Sequence, residues 1–169
     1  MKLLSIFTLF SFLSSYAFSQ MTGHELLEKS IRYHDPKSKW EKAELTFNLK
    51  QDTPSRPKKL TTFKINNKKN IFWQKDVSGR NIVIRSLEKD TCKISLNGKT
   101  TFSEDEVKMN RLTCQMTRFW RDYQTYLYGL PMKLKDPGTK IHEKVKMIKF
   151  QDKNCWQLKV SYAEPVGHD

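Results

Sequence analysis

The chain has 169 residues, 37% of them hydrophobic, with 31 Lys and Arg against 18 Asp and Glu and a net charge of +13. That apolar content, rich in aromatics, excludes a disordered chain and suits one domain with a real core. Beyond the N-terminus no apolar run approaches the about 20 residues that a membrane-spanning helix needs.

The chain begins MKLLSIFTLFSFLSSYAFSQ. Lys2 gives a short basic region, Leu3 to Phe18 an apolar one, and Ala17 and Ser19 a small-x-small cleavage pattern. We expect residues 1–19 to be a secretory signal cleaved near Ser19-Gln20, leaving a soluble or peripheral exported domain over 20–169. Loss of Lys2 leaves a net charge of +12. No Cys stands near the cut, so a lipid anchor there is not expected.

Next comes "TGHELLEKSIRYHD", where Thr22 and Glu25 have capping-box spacing and Asp35-Pro36 forms a stop. The spacing predicts an amphipathic helix over 22–34. The period then changes to two. "KAELTFNLK", "KKLTTFKINN", "NIFWQKD", "RNIVIRSL" and "TCKISLNG" read as five half-buried strands. Asn66-Asn67, Ser78-Gly79, Lys89-Asp90 and Asn97-Gly98 supply turns, the last with the residues a type I′ turn prefers. The pattern predicts an antiparallel meander.

Ser103 and Glu106 repeat the capping-box spacing and start a second predicted helix, which runs to Tyr128 with Gly129 as its C′ residue and Pro131 beyond. Met116, Phe119, Tyr123 and Leu127 share one face of it, expected to pack on the sheet, while Trp120 and Tyr128 fall off that stripe. Strands around Ile141–Phe150 and Cys155–Tyr162, joined at Lys153-Asn154, complete the order. The fold class is therefore α+β: a curved antiparallel sheet with two amphipathic helices covering one face. The space between lid and sheet is then a filled core or an apolar ligand cavity.

Catalytic patterns are missing. There is no GxSxG elbow, no HExxH and no Gly-rich phosphate loop, so no catalytic residue, metal ligand or cofactor is assigned. His34-Asp35 and His168-Asp169 are two of the adjacent His/acid pairs in the chain, and the first is accounted for by helix-end chemistry. Cys92, Cys114 and Cys155 are either small buried hydrophobes or, for two of them, a disulfide. Arg56, Lys58, Lys59, Lys64, Lys68, Lys69 and Lys75 form an acid-free basic run interleaved with Phe63, Phe72 and Trp73. Such a run suits a solvated face or an anionic membrane or polysaccharide. Nucleic acid is set aside as a partner, because an exported protein seldom meets it.

At "SIRYHDPKSKW" and "YLYGLPMKLKDPG" the chain resembles an uncharacterised family of exported bacterial proteins similar to the LolA/LolB-like periplasmic lipoprotein carriers. His34, Asp35, Trp40, Tyr126, Leu127, Tyr128, Gly129, Leu130, Pro131 and Met132 match its motifs, without assigned roles. The resemblance implies an unclosed half-barrel with helices in its mouth and an apolar interior, located in the periplasm or cell envelope. Relatives continue beyond "VGHD", so an incomplete half-barrel lacking its C-terminal strands is expected. The reading is a non-enzymatic protein binding an apolar or lipid-like ligand through Met116, Phe119, Trp120, Tyr123, Leu127, Tyr128 and Met132. Two alternatives are an envelope hydrolase and a surface-interaction protein using the basic run.

Overall fold

In the computed structural model, residues 21–55 and 57–163 are described. The expected signal segment, Arg56 and His168-Asp169 lie outside the described residues.

Helix α1 spans Gly23–His34 and begins as its caps require. The Thr22 hydroxyl accepts from the Glu25 amide (3.1 Å), and the Glu25 carboxylate accepts from the Thr22 amide (2.8 Å). The chain then enters a meander of β1 Glu44–Gln51, β2 Lys59–Asn66, β3 Ile71–Ser78, β4 Asn81–Glu88 and β5 Thr91–Leu96. These pair antiparallel in sequence order as an open sheet, with β1 and β5 at its edges. Asn97 and Gly98 both take positive φ (49° and 84°), as a type I′ turn demands. Their turn is pinned back on β4, where Asn97 Oδ1 accepts from the Ile82 amide (2.8 Å).

Register places Phe47 opposite Phe63 and Ile65 opposite Phe72, and sets Phe72 against Leu87. With period two, these residues share one face. Phe63, Ile65, Phe72 and Leu87 are buried, with Phe47, Leu49, Cys92, Trp120 and Tyr128 packed against them. A second cluster, Val83, Leu96 and Leu112, is joined by Ile94, Phe102 and Val107.

The segment expected to form one helix from Ser103 to Tyr128 is two. Helix α2, Glu104–Asn110, stops where Arg111 turns left-handed (φ 53°). Buried Leu112 follows, and Thr113 caps α3, Cys114–Gly129, its hydroxyl accepting from the Met116 amide (3.1 Å). The N-terminal helix is anchored outside the five-stranded sheet. Helix α1 docks on the segment after β6 (Thr139–Ile141): the Gly23 amide donates to Glu143 O (2.8 Å). A Cβ at Gly23 would lie 2.0 Å from His142 O, so only glycine lets the helix approach so closely.

The C-terminal segment is also more broken than its alternation predicts. Strand β6 pairs with β9 (Val160–Tyr162), and β7 (Lys146–Phe150) pairs with β8 (Lys153–Gln157). The turn falls at Gln151-Asp152, both left-handed, rather than at Lys153-Asn154, which pair with Phe150 and Lys149.

Cys92 on β5 and Cys114 at the start of α3 form a disulfide, and Cys155 is free and half-buried. The bridge spans 22 residues and ties the α3 N-terminus to the sheet. Replacing both cysteines by serine is expected to lower stability by about 3 kcal/mol through the freed unfolded chain. Urea denaturation of the double variant beside the oxidised parent checks this.

Candidate functional site

Strands β2, β3 and β4 place polar residues on the same face as the aromatic core. Lys59 and Thr61 alternate in phase with Phe63, Gln74 and Asp76 with Phe72, and Arg85 with Leu87. Across the ladder Thr61 faces Asp76 and Gln74 faces Arg85. Asp76 is the hub. Its Oδ1 accepts from the Thr61 hydroxyl (2.6 Å) and lies 3.2 Å from Lys59 Nζ. Its Oδ2 accepts from the Gln74 amide (2.8 Å) and lies 3.9 Å from Arg85 Nη2.

Arg85 is 3% exposed, and its Nε and Nη1 have no hydrogen-bond partner; neither does Gln74 Oε1. Buried polar groups normally find partners, because leaving a charged one unmet is expensive. Burial pulls the Arg85 guanidinium below its ordinary pKa, and the neighbouring Asp76 carboxylate only partly opposes this. With Lys59 and Arg85 facing one carboxylate, the cluster carries one positive charge in excess. Sequence reasoning missed it. The available signal was a set of polar side chains in phase with buried apolar ones, which period two sends inward.

Helix α3 roofs this face. Its sheet-facing stripe is buried Thr117 and Gln124 with partly buried Trp120 and Tyr128, not the predicted Met116, Phe119, Tyr123 and Leu127. Tyr128 packs on Phe47 and Phe63 with ring centroids 4.7 and 5.4 Å away. Trp120 receives Lys59 Nζ over its ring at 5.1 Å. Met116 is half-buried, while Phe119, Tyr123 and Leu127 are 37%, 49% and 47% exposed. The helix is rotated from its expected setting because both of its sides carry large apolar groups. Trp120 and Tyr128 pack from α3 against the buried cluster of Phe63, Ile65, Phe72 and Leu87.

The basic run does not form one face. Lys59 turns inward to Asp76, and Lys58 pairs with Asp52 (3.4 Å) at the β1–β2 loop. Lys64 lies on the opposite face with its Nζ 5.6 Å from the Trp73 ring centroid, and Lys68 and Lys69 are exposed at the β2–β3 turn.

A cleft of about 1010 Å³ lies to the side, lined by Asp35, Trp40, Asn67, Arg121, Met132 and Lys133 among others. It brings together the two distant segments "HDPKSKW" and "YGLPMKLKDPG". Gly129 is the reason they fit. It is the last residue of α3 rather than a left-handed C′ cap, and a Cβ there would lie 2.4 Å from Trp40 Cζ2. Asp35 is spent on structure, its two carboxylate oxygens accepting from the Lys39 (2.8 Å) and Trp40 (2.9 Å) amides. His34 is exposed with its ring edge-on to Tyr33. His34-Asp35 therefore lacks the geometry of a catalytic pair.

The family described as a family of unknown function, DUF6503, matches residues 2–169. The chain belongs to it. No curated protein and no solved structure matches. Among the described residues of this DUF6503 chain, no group of three His, Cys, Asp or Glu side chains is placed to hold a metal ion. No helix among them is long and apolar enough to cross a membrane.

Tyr126 on α3 shares a hydrogen bond with the Tyr162 hydroxyl on β9. Partial burial and that bond push the Tyr126 pKa up to about 12. A raised phenol pKa means the folded chain holds a proton that the unfolded chain loses near pH 10, so this bond's stabilisation fades as pH rises toward 12. Absorbance titration at 295 nm should show one late tyrosine, absent in Tyr126→Phe.

Proposed function

We propose that this chain is an exported, non-enzymatic protein of LolA-like half-barrel type that binds a lipid-like amphiphile between α3 and the five-stranded sheet. One observation carries the reading: α3 is apolar on both sides. Trp120 and Tyr128 pack on the sheet, while Phe119, Tyr123 and Leu127 meet solvent. A helix that stays closed over a core needs one apolar stripe; a second, exposed one suits a helix that also meets an apolar ligand or surface. Trp120 and Tyr128 occupy this layer, so uptake requires α3 to lift. The Cys92–Cys114 bridge holds its N-terminal end, so the movement has to release Tyr128 from Phe47 and Phe63 at the other. Export is supported by the apolar N-terminal segment and by a disulfide, a bond that persists in oxidising compartments.

Native mass spectrometry of the chain purified from the envelope tests this. Co-purifying lipid, or displacement of a fluorescent fatty acid from refolded protein, is expected. A chain that carries no lipid and ignores the probe overturns the reading.

A second reading, peripheral contact with an anionic membrane, is favoured by the exposure of Lys64, Lys68 and Lys69. It requires binding to phosphatidylglycerol vesicles that weakens as salt rises. Salt-independent binding argues against it.

A further inference from the structure

The geometry points to the Arg85–Lys59–Gln74 cluster as the recognition site for a singly charged oxyanion head, carboxylate or phosphodiester, on the bound acyl chain. This rests on the reading of α3 as a lid, and it adds which ligands the lid admits. Arg85 is buried with Nε and Nη1 unpartnered. Among the described residues its acidic neighbour is Asp76, which lies 3.9 Å away and is already engaged by Thr61, Gln74 and Lys59. A guanidinium forms a planar fork that two oxygens of one oxyanion can fill. The excess positive charge of the cluster is what a monoanion would cancel. Gln74, directly opposite Arg85 in the ladder, has a free carbonyl oxygen suited to a hydroxyl donor beside that oxyanion.

The surroundings define the rest of the ligand. Beside the charged row lie Phe63, Phe72 and Leu87, an apolar floor for a hydrocarbon tail once the helix has moved, with Trp120 of the helix packed against them as its cover. The cation over Trp120 makes Lys59 the link between head and lid: an anion drawn to Lys59 competes with the contact that helps hold α3 down.

The test compares three amphiphiles of equal chain length on the full mature chain: palmitate, palmitoyl lysophosphatidylglycerol and uncharged monopalmitin. At least one anionic ligand should bind about tenfold or more tightly than monopalmitin, as a charge-assisted hydrogen bond implies. Which anion is preferred distinguishes a fatty acid from a phospholipid source. Arg85→Met should remove that preference while keeping monopalmitin affinity, which a merely structural role would not do. Lys59→Met, at a partly exposed position, should reduce the preference and serves if Arg85→Met fails to fold. Equal affinity of all three for the parent chain overturns the head-group site and leaves lipid binding standing. Preference retained in both variants overturns it too. Binding of none removes the lipid reading and this inference with it.

Discussion

Replacing Phe63 by alanine is expected to lower the free energy of unfolding by about 3–5 kcal/mol. Phe63 is fully buried and lies at the crossing of three ring contacts. It stacks on Phe47 with centroids 4.7 Å apart and planes 14° apart, and it meets Phe72 at 6.5 Å and Tyr128 at 5.4 Å. Truncation removes transfer free energy and leaves a void that the β1–β2–β3 ladder cannot close, because its hydrogen bonds fix the strand spacing. The loss is a large share of the about 5–15 kcal/mol that a domain usually has. Urea denaturation should show a lower midpoint at unchanged slope. A loss under about 1 kcal/mol would mean that α3 does not rest on Phe63 in solution, since a solvated ring loses little on truncation.

Asp76→Ala should be about as severe, roughly 3–5 kcal/mol, for a different reason. Lys59 is partly exposed and can swing to water; Arg85 is sealed and cannot. The substitution strands a buried guanidinium. Arg85→Met is expected to behave oppositely, leaving stability unchanged or raising it by about 1–2 kcal/mol. It removes a charge with two unmet donors, while Asp76 keeps Thr61, Gln74 and Lys59. In the double variant Asp76→Ala/Arg85→Met much of the single-mutant loss should return, a coupling that a double-mutant cycle measures. If Arg85→Met alone is as damaging as Asp76→Ala, the guanidinium is a structural partner and not an open binding group.

Local chemistry made much of the fold legible. The Thr22–Glu25 and Ser103–Glu106 boxes start α1 and α2 as their spacing predicts, because a capping box is complete within four residues. The strands β1 to β5 are likewise written in their alternation, and the Asn97-Gly98 turn in the residues that tolerate positive φ. The break at Arg111 was not legible. A left-handed Arg has no sequence signature, and the buried Leu112 beside Val83 and Leu96 is what holds it there.

The site was less legible than the fold. Lys59 reads as one of a basic run until the register turns it toward Asp76. Asp76 and Arg85 are unremarkable in "NIFWQKD" and "RNIVIRSL" until the β3–β4 pairing puts them on one covered face. The cleft joining Asp35 and Trp40 to Met132 depends on Gly129, whose purpose is visible only beside the Trp40 ring.

By itself the sequence determined the order of elements, the caps, the turns and which strand residues share a face. Those are consequences of backbone periodicity and of bonds closed within a few residues. The tertiary structure alone decided the rotation of α3, the partner of Cys92 and the burial of Arg85. Helix α3 carries two apolar stripes of similar strength, so its own periodicity cannot choose between them. The choice is made by Phe47 and Phe63, which accept Tyr128, and by Cys92, which fixes Cys114. Contacts between residues so far apart in the chain exist only after the sheet has formed.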